Sequence, residues 1–370
     1  MDFELPPELL ALQQEALEVG RAAAAGATLT EDTWIAAPDR AFSLELGRRG
    51  WLGMTWPVES GGGGRTALER FIVFEALIGV GAPLATSWFA DRQMGPTLLQ
   101  FGTPEQQRHH LPAILDGTSA WSIGMSEPDA GSDVASIRTR AVRDGDEFVI
   151  NGQKIWNSGA AQADWIYLIA RTDPDAKPHA GLSELIVDMR SPGITILPIT
   201  DMTGSGHFCE VFFEDVRVPA DNLVGQLNGS FQQVMRQMEH ERGGVDRLLS
   251  NRKLYEDVLA VADTTDPRLR QEIAAIETGY RIGRLMVLRE VLGQAPKHFS
   301  AATKTFCTEL EQRIAAFCAQ ALGPHSLLAE PGLPGRVSRG VAYSPAYTIM
   351  GGTSEILRNI LGERLLGLPR

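Results

Sequence analysis

The feature that most constrains this chain is a change in the period of its apolar residues. From Pro7 to about Gly117 they recur at helical spacing, with an Ala-rich stretch at Ala16 to Ala25 followed by Ala41 to Arg49 and Leu68 to Ile78. Between about Ala120 and Gly225 the helical spacing gives way to short β-rich runs at Glu147 to Ile150, Trp165 to Ala170, Glu184 to Val187, Ile194 to Leu197 and Val211 to Val218. After Asn228 helical spacing returns almost to the end, and the interruptions expected there are Thr264 to Pro267 and the Pro/Gly-rich segment Pro331 to Gly340. The pattern predicts an α+β fold that is mainly α, with domains over residues 1–118 (helical), 119–226 (β) and 227–370 (helical). Gly61 to Gly64 is expected to be a flexible loop. Asn151-Gly152 is expected to turn a hairpin, because both positions of a tight hairpin turn take positive φ.

Composition narrows the function classes. With 44% hydrophobic residues in 370, the chain can bury a large core. A net charge of −12 without a Lys/Arg cluster argues against a nucleic-acid surface and favours small molecules or protein partners. Three cysteines without CxxC spacing indicate neither a disulfide framework nor a cysteine-rich metal site. The acidic N-terminus lacks a basic-then-apolar leader, and Glu75 breaks the longest apolar stretch, Phe71 to Ala82, so neither export nor a membrane span is expected and the cytoplasm is. His240-Glu241 begins like the zinc motif HExxH, but Gly244 stands where the second histidine belongs, so no metal is expected.

Several spaced segments resemble the acyl-CoA dehydrogenases: Phe101 to Gln106, Ser126-Glu127-Pro128-Asp129-Ala130-Gly131-Ser132-Asp133, Asn151 to Gly159, Val211 to Pro219, and Gly351-Gly352-Thr353-Ser354-Glu355-Ile356-Leu357-Arg358. They follow the family's order and span nearly the whole chain. The resemblance implies a helical N-terminal domain, a middle β-barrel-like domain and a C-terminal four-helix bundle that supports oligomerisation. It also implies FAD as cofactor, an acyl thioester as substrate and an electron-transfer flavoprotein as electron acceptor. A homo-oligomer, dimer or tetramer, is expected, with a hetero-oligomer as the alternative.

A flavin pocket needs donors at the ring's polar edges and an aromatic against one face. By resemblance, Ile123 to Ser132 lines the ring and substrate, Met125 and Ser126 sit near the ring edge, Trp156 covers a face, and Ser158 hydrogen-bonds the ring. Taken alone, a Trp in such a place is more often core, and the Ser126–Ser132 stretch could be a turn that caps backbone amides. The tail adds Thr353, Ser354 and Glu355 as FAD contacts, and a Gln-x-x-Gly-Gly segment maps to Gln320 and Gly323, with Pro324 in place of the second glycine. Where many members carry Arg-x-x-Phe-Gly to reach the FAD pyrophosphate, this chain reads Asp266-Pro267-Arg268-Leu269-Arg270-Gln271, which leaves that arginine unassigned.

Dehydrogenation of a thioester needs a base for the α-proton, a donor site for the carbonyl oxygen and a hydride acceptor. Most members place the base as a glutamate directly before Gly-Thr-Ser, but Gly351 stands there. Members that resemble isovaleryl-CoA dehydrogenase draw it from a C-terminal-domain helix before an arginine, which maps to Glu241-Arg242. At about 100° per residue, Val234, Met238, Glu241, Val245, Leu248 and Leu249 share one face, so a single carboxylate interrupts an apolar stripe. Neither side of Glu241 offers a basic residue at i±3 or i±4, whereas Arg242 has Glu239 and Asp246. The resemblance places Ser132, Glu239, Arg242 and Gly352 along the substrate and gives the Gly351 backbone N–H the carbonyl oxygen. The rival readings are a catalytically incomplete subunit of a hetero-oligomer, an acyl-CoA or nitroalkane oxidase-like flavoenzyme, and a helical interaction protein without chemistry.

Overall fold

The computed structural model describes residues 5–30, 32–231, 233 and 244–369. In chain order its helices and strands are α1 (Pro7–Gly26), α2 (Thr33–Ala36), α3 (Arg40–Arg48), α4 (Ala67–Gly79), α5 (Ala85–Phe89), α6 (Gly95–Phe101) and α7 (Pro104–Leu115), then β1 (Trp121–Gly124), β2 (Arg140–Asp144), β3 (Glu147–Ser158), β4 (Trp165–Arg171), β5 (Leu182–Asp188), β6 (Ile194–Ile199), β7 (Phe208–Pro219) and β8 (Leu223–Val224). The chain closes with α8 (Asp246–Leu249), α9 (Arg252–Leu259), α10 (Pro267–Val291), α11 (Phe299–Leu322), α12 (Leu333–Tyr343) and α13 (Ser354–Ile360). Contacts divide the chain into two compact units. Of the described residues, one holds those within Met1–Ala37, Arg65–Pro83 and Glu239–Arg370, and the other those within Pro38–Gly64 and Leu84–Met238.

In the helical unit, a capping box starts α4, with the Glu69 N–H donating to Thr66 Oγ1 at 3.2 Å and the Thr66 N–H to Glu69 Oε2 at 2.8 Å. Helices α10 and α11 approach closely because Gly279 and Gly283 carry no Cβ. A Cβ at Gly279 would lie 2.7 Å from Leu310 of α11, and one at Gly283 would lie 3.4 Å from Cys307 of α11 and 2.4 Å from Leu248 of α8. Arg284 on α10 grips Glu75 on α4 with two hydrogen bonds, at 2.5 and 3.0 Å.

The second unit is built on a sheet of order β6-β7-β3-β2-β4-β5-β8, with β1 parallel to β4. Strand β4 is hydrophobic from Trp165 to Ala170, and its interior from Ile166 to Ala170 is buried because both faces are covered. Ile166, Leu168 and Ala170 enter the core between strands, while Tyr167 packs with Trp121 and with Met94, Leu98, Leu111 and Ile114 of the helices. No described helix is long and apolar enough to cross a membrane.

Three local expectations are corrected. Asn151-Gly152 does not turn a hairpin: β3 runs through it to Ser158, and the register shifts between Ile150 and Gly152 as at a β-bulge. The β2–β3 reversal lies instead at Gly145-Asp146, where Gly145 has φ 62°. Pro331 to Gly340 is not all interruption, since α12 starts at Leu333 with Pro334 in its first turn, where a missing N–H costs nothing. Gly61 to Gly64 form a loop but a tethered one: the Gly62, Gly63 and Gly64 N–H groups donate to the carbonyls of Pro57, Gly53 and Trp56, each at 3.0 Å.

Candidate active site

In the sheet unit, the end of strand β3, from Lys154 to Ser158, is hydrogen-bonded to β1 and to the segment that follows it. Asn157 Nδ2 donates to the Ile123 carbonyl at 2.7 Å, the Ile155 N–H to the Ser126 carbonyl at 2.9 Å, and Lys154 Nζ to the Met125 carbonyl at 3.0 Å. Ser122 Oγ donates to the Ser158 carbonyl at 3.0 Å. The structure therefore brings Ile123, Met125, Ser126, Trp156 and Ser158 together on two adjoining strips of backbone.

A buried ion pair anchors this arrangement. Lys154 is fully buried and lies 2.8 Å from Glu127, whose second oxygen accepts from the Arg138 N–H at 2.6 Å and whose first also accepts from the Thr139 N–H at 2.9 Å. Burial disfavours both charges. It pushes the Lys154 ammonium down to about 8 against the pull of Glu127. Burial also acts to raise Glu127, but the ammonium and the amide donors outweigh it and hold the carboxyl below its usual range. Within the Ser126–Ser132 stretch it is Glu127 that caps amides, while the Glu127 and Ala130 backbones pair in a tight turn and Ser132 is exposed. Sequence reasoning assigned Lys154 and Glu127 no role. The available signal was the inward parity of Phe148, Ile150 and Lys154 on one strand.

Trp156 is not a core residue. It sits in the second β3 bulge with φ 63°, is 53% exposed, and meets the edge of Phe208 at a centroid distance of 5.7 Å. Phe208 in turn packs against His207 at 3.9 Å. An exposed indole held out by a bulge and braced on one edge offers a π face to a planar ligand.

In the helical unit, the tail motif forms a turn followed by α13. Gly351 and Gly352 have φ 62° and 95°, a conformation that favours glycine. Thr353 caps α13 by accepting the Ile356 N–H at 3.2 Å, and the Glu355 backbone amide, helped by the Thr353 hydroxyl, holds the exposed Glu355 carboxyl below its usual range. Ser354 is 3% exposed, and its Oγ has no hydrogen-bond partner among the described residues. A buried hydroxyl without a partner among the described residues, next to a glycine turn in the chain, suits a polar ligand group such as a flavin's.

Lys304, fully buried on α11, donates through Nζ to the Gly352 carbonyl at 2.8 Å and the Tyr347 carbonyl at 3.4 Å. Gln320 and Gly323 lie at the far end of the same helix, about 24 Å along its axis from Lys304, so within one chain the structure does not bring them to the tail. Glu239, Glu241 and Arg242 lie outside the described residues, while Val245, Leu248 and Leu249, which continue the predicted stripe, are buried. Arg268 and Arg270 are exposed in the first turn of α10.

The same unit buries further acids that sequence reasoning did not single out. Asp32 accepts from Trp34 Nε1 at 3.1 Å, and burial pushes its carboxyl up to about 6 despite Ser250 and Arg247. Glu311 accepts from the Asn251 N–H at 2.9 Å and is pushed well above the carboxylate range by burial. Lys304 and Glu311 stand seven residues apart on the buried face of α11, a charged pair of positions in an apolar stripe that was legible in the sequence.

The sheet segment and the glycine tail carry the parts expected of a flavin-dependent oxidoreductase, and comparison with known proteins defines the class. Models of the acyl-CoA dehydrogenase N-terminal, middle and C-terminal domains match residues 7–118, 122–216 and 230–366. The chain belongs to the acyl-CoA dehydrogenase family of oxidoreductases, whose members bind FAD. Among its relatives, the acyl-CoA dehydrogenase IpdE1 of Mycobacterium tuberculosis is 37% identical over 90% of this chain and 88% of its own length. The acyl-CoA dehydrogenase FadE26 of the same species is 36% identical over 88% and 87%. Among solved structures, the Tcur3481-Tcur3483 steroid ACAD superposes with a TM-score of 0.90 at 32% identity, covering 100% of both chains. The ChsE4-ChsE5 complex from Mycobacterium tuberculosis does so with 0.87 at 32%, again covering 100% of both.

Proposed function

We propose that this chain dehydrogenates an acyl-CoA thioester between its α and β carbons, with Glu241 as the base and the Gly351 N–H as a donor to the thioester carbonyl. The observation that carries this reading is the tail turn. Gly351 removes the usual carboxylate but keeps its backbone donor, and none of the described residues accepts from that N–H. Ser354, three residues on, has a buried hydroxyl without a partner among the described residues.

Bound FAD would supply the hydride acceptor. Trp156 would cover a face of the ring, while Met125, Ser126 and Ser158 would supply its edge contacts; Ser354 would be an FAD contact from the tail. The α-proton becomes more acidic as charge moves onto a carbonyl oxygen held by the Gly351 N–H, and Glu241 receives it. Arg242 and Glu239 flank the base, and Ser132, being exposed, is available to the thioester's distal arm. Gln320 and Gly323 would serve a cofactor bound by a second copy. An electron-transfer flavoprotein is the proposed acceptor, and three buried free cysteines agree with a cytoplasmic setting.

A glycine where the usual base stands leaves room for a bulky acyl group, in keeping with the steroid ACAD found among the structural neighbours. The test is anaerobic bleaching of the flavin band by straight-chain, branched and steroid-side-chain acyl-CoAs. Bleaching in the wild type that disappears in Glu241→Gln, with FAD retained, is the expected result; equal bleaching in both removes Glu241 from the mechanism. A second reading, that the chain works only beside a different subunit, draws on the ChsE4-ChsE5 complex. It predicts that the purified chain alone neither retains FAD nor bleaches.

A further inference from the structure

We propose that Lys304 is a positioning residue for the carbonyl-binding donor, a role that rests on the acyl-CoA dehydrogenase reading above. The segment that presents the Gly351 N–H is unusually free by sequence: two consecutive glycines, both at positive φ, contribute no side chain to hold them. A donor acts on developing charge only if its direction is set before the reaction begins. The chain must therefore fix this turn from outside, and Lys304 is placed to do so.

Its ammonium donates to the Tyr347 carbonyl on one side of the turn and to the Gly352 carbonyl on the other. The five residues 348–352 thus run between two peptide groups held by one cation. The base of the tie is itself rigid. Lys304 is fully buried on a 24-residue helix, and α13 docks on the same helix through Leu357 and Ile360 against Ala301. Gln312, two turns further along α11, donates through Nε2 to Thr348 Oγ1 at 2.9 Å and steadies the start of the segment. Within the segment, the Ile349 and Met350 N–H groups both donate to the Ala346 carbonyl, at 3.0 and 2.9 Å. Those two amides report on whether the start of the segment keeps its fold.

Both carbonyls are held by a cation that is itself fully buried, so their separation is set by the helix that carries it and not by solvent. Its placement makes sense where the geometry between those carbonyls matters. Substituting Lys304 should leave the glycines in place but let the Gly351 N–H wander.

The experiment uses the FAD-loaded protein with Lys304→Met, and Lys304→Gln should the first not fold. Hydrogen exchange is followed by mass spectrometry on peptides covering 344–357. Exchange at Ile349, Met350 and Ile356 is expected to accelerate about tenfold or more, while α10 keeps its wild-type rate. Unchanged exchange in 344–357, or equal acceleration across α10, overturns the proposal, because the lysine then holds nothing locally or merely stabilises the bundle. With the acyl-CoA that bleaches the wild-type flavin fastest, kcat is expected to fall about 100-fold while KM stays within about threefold, as for a misplaced donor. A rise in KM at unchanged kcat also overturns it. If no acyl-CoA reduces the wild-type flavin, the functional reading fails, and with it the donor role of Lys304; the exchange rates then decide only whether the tie itself exists.

Discussion

Among the ionic contacts of the sheet unit, the Lys154–Glu127 pair differs from its neighbours in kind. Arg217 meets Asp144 and Glu147 at 2.9 and 2.8 Å, but all three side chains are largely exposed, and such pairs contribute about 0–1 kcal/mol. Lys154 and Glu127 have no water to fall back on, and removing one strands the other's charge. Lys154→Met should destabilise the protein by about 3–5 kcal/mol in urea unfolding, with the loss reduced when Glu127→Gln is added. The pair also holds the Met125 carbonyl and the amides of Arg138 and Thr139, so the single variant should release FAD more readily than its stability loss alone explains. A double variant as unstable as Lys154→Met would mean that packing, not charge pairing, dominates.

At the scale of elements, bulges and caps decide what each motif can do. Strand β3 keeps its direction through Gly152 because that residue's φ of 150° absorbs an extra residue, and the second bulge turns Trp156 outward. In α13, two adjacent hydroxyls have separate tasks. Thr353 caps the helix, whereas Ser354 is buried with no described partner. Thr353→Ala should cost about 1 kcal/mol of stability. Ser354→Ala should leave thermal stability nearly unchanged while weakening FAD binding by about fivefold to tenfold, the worth of one net hydrogen bond. Thermal melts and fluorescence titration with FAD separate the two; an unaltered FAD affinity in Ser354→Ala would remove that residue from the cofactor contacts.

For the molecule as a whole, buried acids add a pH dependence to a chain already carrying a net charge of −12. Asp32 titrates near 6 in the folded protein against an ordinary 3.8, with burial as the main cause. The folded state therefore binds this proton more tightly than the unfolded chain. The resulting stabilisation is fully present below about pH 4 and is lost as pH rises through 6. Glu311 acts with the same sign. Asp32→Asn should stabilise the folded protein at pH 7.5 by up to about 3 kcal/mol for a shift of about two units, read as a higher melting temperature, and the gain should shrink towards pH 4. The backbone permits the change, since Asp32 has φ 51° and asparagine tolerates that region well. A gain independent of pH would show that Asp32 is not the titrating group.

The order helix, sheet, helix was legible in the sequence because apolar period is a local property, and the strands from β3 to β7 follow it closely. The family motifs were legible for the same reason: each is a short run with its own turn chemistry. The Asn151-Gly152 signal misled because positive φ serves a bulge as well as a hairpin, and only the β7 strand laid alongside β3 decides between them. Pairing across distance is likewise a tertiary matter. That Lys154 would meet Glu127, that Lys304 would close on the carbonyls of Tyr347 and Gly352, and that Ser354 would be buried without a partner depend on segments brought together from far along the chain. The sequence by itself determined which elements form and which motifs they carry. Tertiary structure decided which charges are buried, because burial is set by what packs against a residue and not by its neighbours in the chain.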